Sequence, residues 1–373
     1  MDFDFSDDQE QLRDAVRKWV DRSYTFERRR AISEAGGFDR AAYGELAELG
    51  LAGLYVPEDQ GGMGMGPIEA MVAMEELGRG IVLEPLKQTL IASGVLGAYA
   101  PEAVRSAWLP KIAAGQALVV LAQQERKARW RLDACEATAV PAQASQDWKV
   151  SGDKSVVPAG DQADAFLVPA RAKGRIGLFL VQRQVQGVGT RGYPTLEGGR
   201  AAEVQLRDAP ATLVAEDGLA ALEHALDIGI AATCAEGVGA IDRTMQLTAE
   251  YLNTRKQFGV TLATFQALRH RMADMKMQQE LARSMSYYAS LKLNAPPEER
   301  RRAMARAKYQ LGVAMRFVGQ NSVQLHGGIG VTDEYVGSHY FRKLTQLELE
   351  FGDTLHHLGE VSARMQDTAG VFA

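Results

Sequence analysis

The chain has 373 residues, 46% of them hydrophobic, enough for two or three domains with their own cores. Its formal net charge of −5 gives no global attraction to nucleic acid or to an anionic membrane, and basic clusters such as Arg28–Arg30 and Arg300–Arg302 read as solvated helix faces. Cys135 and Cys234 lie far apart, with no second Cys or His at ligand spacing, so no zinc or other metal site is expected.

Residues 1–115 read as helical. Ser6 followed by Gln9 has the form of a capping box opening an amphipathic stretch through Val20. The opening MDFDFSDDQEQL is acidic and lacks an apolar core segment, so no secretory signal is expected. Helical periodicity returns over Tyr43–Leu51, breaks at Pro57 and Gly61–Pro67, and resumes over Ile68–Leu77, Leu86–Tyr99 and Ala103–Ala113. From 116 to 216 the character changes to short β-prone runs: Ala117–Ala122, Trp148–Val150, Ala165–Val168, Ile176–Val181 and Ala202–Leu206. Turn residues separate them, which predicts an antiparallel β domain rather than βαβ units.

Residues 217–373 return to helix over Gly218–Leu252, Phe265–Leu293, Pro297–Leu325 and Asp333–Thr368, which predicts a four-helix bundle. The fold class is therefore mainly α with a β domain in the middle. No run of about 18 apolar residues suggests a membrane span. A reducing cytoplasm is the default location.

Two segments of the last domain carry candidate chemistry. Asn253–Gly259, followed by Phe265 and Gln266, joins two long helices. Arg255 suits a phosphate, and Gln257 and Gln266 suit phosphate or ribose. A plain helix end closed by Gly259 accounts for the same spacing. Gln324–Gly330 is a glycine-rich turn whose backbone N–H groups can meet an anion, or simply cap a helix. It follows a helix rather than a strand, so it is neither a Rossmann nor a P-loop signature.

Together these segments, Arg-x-x-Phe-Gly with a downstream Phe-Gln and then Gln-x-x-Gly-Gly-x-Gly, resemble the acyl-CoA dehydrogenases. The stretch ELAELGLAGLYVPE, the glycine-rich turn after it and the helix–sheet–helix order add to the resemblance. It implies FAD held by Arg255, Gln257, Phe258, Phe265 and Gln266, with Gln324, His326, Gly327 and Gly328 reaching the FAD of a neighbouring subunit. It also implies α,β-dehydrogenation of an acyl-CoA thioester, with electrons passed to an electron-transfer flavoprotein. The oligomer is a homo-oligomer or a heteromer with a homologous subunit.

The resemblance has departures. The family's catalytic Glu opens a Glu-Gly-Thr trio, which aligns here with Phe351-Gly352-Asp353. Glu350, one residue earlier, is the nearest candidate base, although one helical position is about 100° of rotation. Glu348 and Glu350 read equally well as solvated. A second branch places its base on the first bundle helix, where Gly229 stands here. Glu236 on that helix reads as an acid paired with an Arg, the alternative being a base with a raised pKa. The family's flavin-ring stretches align with Gln124-Glu125-Arg126 and Val156-Val157-Pro158. The Phe351-Gly352-Asp353 ending resembles the smaller-subunit type of heteromeric bacterial enzymes. A non-catalytic partner subunit, or a flavin-dependent monooxygenase or desulfinase of the same fold, are the competing expectations.

Overall fold

Ser6 opens the first helix, α1 (Asp7–Arg22), with the expected capping box: its hydroxyl accepts from the Gln9 N–H while the Gln9 side chain accepts from the Ser6 N–H. The chain is described here from a computed structural model covering residues 4–142 and 147–365. Further helices follow: α2 (Phe26–Glu34), α3 (Arg40–Glu48), α4 (Pro67–Arg79), α5 (Leu86–Tyr99) and α6 (Glu102–Ala113). Seven strands then form one sheet, from β1 (Val119–Leu121) to β7 (Arg200–Ala215). The last third is helical: α7 (Gly218–Thr254), α8 (Gln266–Lys292), α9 (Pro297–His326), α10 (Val336–Leu349) and α11 (Thr354–Ala363). The expected order of helices, β domain and helices is the order found.

Two compact units divide the chain. One consists of Met1–Arg29, Pro67–Val82 and Ile230–Ala373, the other of Arg30–Gly66 and Leu83–Gly229. In the first unit α9 packs against α8, α10 and α11, and α4 packs against α1 and α8. The stripe Met304, Lys308, Leu311 and Met315 on α9 is buried, as i, i+3, i+4 spacing requires of a core-facing helix. The predicted single helix Asp333–Thr368 is broken: α10 ends at Leu349 and α11 begins at Thr354. Thr368 itself lies outside the described residues.

In the second unit β2 (Thr138–Pro141) lies between β3 (Trp148–Pro158) and β4 (Ala165–Ala172), β7 lies between β3 and β5 (Arg175–Gln182), and β4 pairs with β5, so that the sheet closes on itself. β1 adds to β4, and β6 (Val188–Pro194) adds to β7. Pairing is mostly antiparallel, but β1 and β2 both run parallel to β4, so the sheet is mixed. Phe166, Val168, Phe179, Val181, Val204 and Leu206 fill its core. The strands β2 and β6 have no apolar alternation; β6 is an edge segment of Gly, Thr, Arg and Tyr, held by the ladder to β7 rather than by a buried face.

One sequence expectation needs correction. Arg29 is not solvated: its guanidinium is 1% exposed and donates to the Ile81 carbonyl and to His339 Nδ1, and Arg300 is also buried. A long side chain with a fixed donor fork can be drawn inward wherever a carbonyl awaits it, and charge runs do not reveal which arginine that is. Helix α7 is long and apolar enough to cross a membrane by length and composition, but 78% of its apolar window is buried in the protein, as in a core helix.

Candidate functional site

Helix α7 ends with Asn253 and Thr254 bonding back to the carbonyls of Ala249 and Glu250, side-chain bonds that compete with a further helical turn. The chain then folds into a two-stranded hairpin, β8 (Lys256–Gln257) against β9 (Val260–Thr261). Its turn residues, Phe258 and Gly259, both have positive φ, 52° and 81°, the geometry that matches the twist of a tight hairpin. Phe258 is a bulky residue in a left-handed conformation and is 90% exposed. Its ring meets that of Phe265 edge-on at 6.2 Å. Arg255, Gln257 and Gln266 are all exposed, and among the described residues the Arg255 guanidinium has no hydrogen-bond or ion-pair partner. A shallow depression of about 300 Å³, lined by residues including Asn253, Ala263 and Arg269, adjoins the hairpin. The expected phosphate-binding group thus stands as a free cation on an exposed loop.

The glycine turn belongs to the same unit. Tyr251, one helical turn before Arg255, packs its ring 4.6 Å from that of His326. This places the end of α9 beside the end of α7. His326 is buried. Its Nδ1 donates to the Ser322 carbonyl at 2.8 Å, so Nε2 is the acceptor for the Tyr335 hydroxyl, also at 2.8 Å. Burial pushes its pKa below the ordinary imidazole range, which keeps this neutral tautomer. Both ring nitrogens of His326 are therefore spent inside the protein, leaving its backbone for any ligand. Gln324, Gly327 and Gly328 are exposed. A Cβ at Gly327 or Gly328 would meet no other atom within 4 Å. Gly327 has φ of 65°, which favours glycine, but nothing in the chain itself demands a glycine at 328.

The residues expected near the proton-accepting position lie in the break between α10 and α11. Glu350 caps the end of α10 in extended conformation, and its carboxylate accepts from Gln346 Nε2 at 3.2 Å. Glu348 is 4% exposed, not solvated; its Oε1 accepts from the Thr354 N–H at 2.9 Å and from the Thr354 hydroxyl at 2.5 Å, so it caps the start of α11. Phe351 has φ of 57°, a conformation costing a bulky residue about 1–3 kcal/mol. Three buried groups hold this turn. Lys308 Nζ donates to the carbonyls of Glu348 and Gly352 at 2.8 and 2.9 Å, and His357 Nε2 donates to the Phe351 carbonyl at 3.0 Å. Burial, with the Lys308 charge nearby, pushes the His357 pKa down to about 3. Sequence reasoning missed these groups, although Lys308 falls in the apolar stripe of α9, where a lone lysine needs a partner. Glu236 is buried and paired as expected, but with Lys343 at 2.6 Å rather than with an arginine. Gly229 is buried in α7.

In the second unit, the segments expected near a flavin ring lie side by side, since the Ser155 N–H donates to the Gln124 carbonyl at 2.8 Å. Beneath them Lys154, 0% exposed, pairs with Glu125 at 2.7 Å and donates to the Pro169 carbonyl at 2.8 Å. Burial opposes ionisation of Glu125. The Lys154 hydrogen bond and charge, with the backbone N–H groups of Glu136 and Ala137, outweigh it and hold the carboxyl below its ordinary range. The strand is irregular between Lys154 and Val157, and Val156 is pushed outward at φ of 53°. Glu125 is thus structural, and Val156 is the exposed residue.

The matches to known proteins agree with this arrangement. The acyl-CoA dehydrogenase N-terminal domain model matches residues 6–116, and the C-terminal domain model matches 216–366. Acyl-CoA dehydrogenase IpdE2 of Mycobacterium tuberculosis is 30% identical over 320 residues, covering 84% of this chain and 83% of its own length. Among solved structures, a variant of the Tcur3481-Tcur3483 steroid ACAD is 29% identical with a TM-score of 0.90, covering 97% of this chain and 99% of that one. The ChsE4-ChsE5 complex from Mycobacterium tuberculosis is 25% identical with a TM-score of 0.89, covering 99% of this chain and 100% of that one. The chain belongs to the acyl-CoA dehydrogenase family, oxidoreductases that act on the CH–CH bond of acyl-CoA thioesters.

Proposed function

We propose that this chain serves FAD-dependent α,β-dehydrogenation of an acyl-CoA thioester as one subunit of an oligomer. The observation that carries the reading is the exposed Arg255–Gly259 hairpin, with an unpartnered guanidinium and a 90%-exposed Phe258, at the same bundle end as the open Gly327–Gly328 turn. Such a donor set fits a dinucleotide: a fixed cation for a phosphate, two amides for phosphate or ribose, and backbone N–H groups with no Cβ in the way. FAD, when bound, supplies the acceptor for the β-hydride. Arg255, Gln257, Phe258, Phe265 and Gln266 would hold it in one subunit, while Gln324, the His326 backbone, Gly327 and Gly328 would reach that of a neighbour. The segments 1–115, 116–216 and 217–373 are the functional divisions under this reading.

The proton half of the reaction needs a carboxylate within about 3 Å of the α-carbon's proton. Phe351 cannot take a proton. Glu348 already accepts from Thr354, and Glu350, adjacent to the aligned position, is the candidate within the chain. A second reading is favoured by Phe351 at that position and by the likeness to the ChsE4-ChsE5 complex: a homologous partner subunit supplies the base. In both readings electrons leave to an electron-transfer flavoprotein. We assign the chain to the cytoplasm, where its two buried cysteines, neither of them in a disulfide, would stay reduced.

The test is the flavin spectrum of the purified protein, alone and with a co-expressed homologous subunit, before and after addition of acyl-CoA. The expected result is an FAD-containing oligomer whose flavin is bleached by substrate. Replacing Gly327 and Gly328 by bulky residues should lose flavin from a subunit that stays folded. Glu350→Gln should slow bleaching about 10²-fold or more if the base is in this chain. Bleaching only with the homologous subunit would assign the base to the partner. A monomer with stoichiometric FAD, or no bleaching in any combination, would overturn the proposal.

A further inference from the structure

The second unit holds a concavity away from the segments described above. A cavity of about 750 Å³ opens where β3 begins, where β4 turns into β5 and where β7 hands over to α7. Small-molecule sites have volumes of this order. Val156–Pro158 lie at the other end of β3, about 25–30 Å along the strand from Trp148. The floor of the cavity is apolar. Trp148, Ile176 and Leu213 pack against the sheet core and also line the cavity, where Leu219 of α7 joins them. All four are only half-buried. The Trp148 ring leans on that of Phe179 at 5.4 Å, which steadies the indole. A Cβ on Gly218 would overlap the Gly177 carbonyl carbon, so α7 starts directly against β5 and closes one wall.

The mouth carries charges of both signs. Lys173 and Arg175 stand at the β4–β5 turn, and Glu216 and Asp217 at the joint between β7 and α7. Asp217 is spent on the helix, accepting from the Ala220 N–H at 3.1 Å. Lys173, Arg175 and Glu216 are exposed. Among the described residues their charged groups have no hydrogen-bond or ion-pair partner, although they line one cavity. Lys173 also holds the first position of a two-residue turn at φ of 51°, followed by Gly174 at 81°. Asparagine or glycine fits that position at lower cost, so turn geometry does not account for the lysine.

We propose that this cavity binds an amphipathic zwitterion. Its apolar body lies against Trp148, Ile176, Leu213 and Leu219, its anionic group meets Lys173 and Arg175, and its ammonium group meets Glu216. A charge-assisted bond to the guanidinium and attraction of the ammonium to the Trp148 face supply the recognition. An amphiphile with a single charge would meet one side of the mouth with its own sign, which is how such a rim selects. The site takes neither the flavin nor the thioester, and the inference does not rest on the proposed function.

The experiment uses three probes that share a decyl-length chain. N-decyl-N,N-dimethylglycine carries an ammonium and a carboxylate, decanoate carries the carboxylate only, and decyltrimethylammonium carries the ammonium only. Binding to the purified protein is read by calorimetry below the micelle concentration, and folding by thermal melting. The zwitterion should bind about tenfold or more tighter than either singly charged probe. Lys173→Gln combined with Arg175→Gln should remove its advantage over decyltrimethylammonium. Glu216→Gln should remove its advantage over decanoate. Both variants alter exposed groups and should melt with the parent. Ile176→Trp fills the floor and should weaken all three probes together; if that variant does not fold, the rim variants still decide. Equal binding of the three probes, or preferences that the rim variants leave unchanged, overturns the proposal, because the cavity then accepts any apolar chain. Absence of zwitterion binding overturns it outright. Displacement of the zwitterion by coenzyme A overturns it as well, by giving the cavity to the thioester substrate.

Discussion

Two turns of the bundle, Arg255–Thr261 and Glu348–Thr354, both carry a phenylalanine in left-handed conformation followed by a glycine, and they are built in opposite ways. The first is held by its own hairpin ladder and by little else; Arg255, Gln257 and Phe258 all face outward. The second is tied by a buried lysine, a buried glutamate and a buried histidine. The contrast separates two ways of preparing a site. Groups that await a ligand or a neighbouring subunit are left with unspent donors on a stiff local frame. Groups that must hold one geometry regardless of ligand are locked from within the core.

The comparison breaks most sharply at Lys308. Lys308→Met leaves two buried carbonyls without their donor and should destabilise the fold by about 2–4 kcal/mol, read by thermal or denaturant unfolding. Arg255→Met should stay within about 0.5 kcal/mol of the parent in the same assay. Equal losses would erase the distinction between the turns. The reverse contrast is expected in cofactor titration. Arg255→Ala removes a charge-assisted contact worth about 1.5–3 kcal/mol, or about tenfold or more in FAD affinity. Unchanged affinity would show that the exposed guanidinium is not a phosphate ligand.

Acid provides a third probe, which reaches the locked turn through His357. The folded His357 has its pKa depressed to about 3 by burial and by Lys308, whereas the unfolded imidazole titrates near about 6.5. The unfolded chain therefore binds the proton first, and stability falls as pH drops from about 6.5 towards about 3. The slope from this group is up to about 1.4 kcal/mol per pH unit. His339, His326 and His356 are shifted in the same direction, chiefly by burial, and add to the acid limb. His357→Gln should flatten that limb without abolishing it, and an unaltered profile would show that His357 is not buried as a neutral ring. The smallest effect is expected at the hairpin. Phe258→Asn places a residue tolerant of positive φ at the first turn position and loses little packing from a 90%-exposed ring. A gain of about 0.5–1 kcal/mol in the flavin-free protein is expected. A loss would mean that the contact with Phe265 outweighs the strain.

Much of the architecture was legible because it follows from local rules. The capping box at Ser6 and the apolar stripe of the long α9 announce those helices by a cap and a period. Helix α2 did not, because its sequence FERRRAISE is charge-dense and its helical start depends on Thr25, whose hydroxyl accepts from the Arg28 N–H. The break after Leu349 was hidden for a related reason. Helical periodicity continues on both sides of it, and only the ties from α9 and α11 stop α10 there.

By itself the sequence determined the helix–sheet–helix order, the family, and the identity of the groups in the two α7–α8 and α9–α10 connections. These depend on residue type and spacing along one chain. The tertiary structure decided which polar groups are spent and which are left over. His326 and Arg255 are both plausible ligand contacts as residues, yet the fold consumes both nitrogens of one and leaves the other free. Likewise Glu348 and Glu350 stand two positions apart, and only the packing of α9 and α11 makes one a buried cap and the other a half-exposed helix end. The reason is that a hydrogen bond between elements far apart in sequence is fixed by where those elements meet, and no local pattern encodes that meeting.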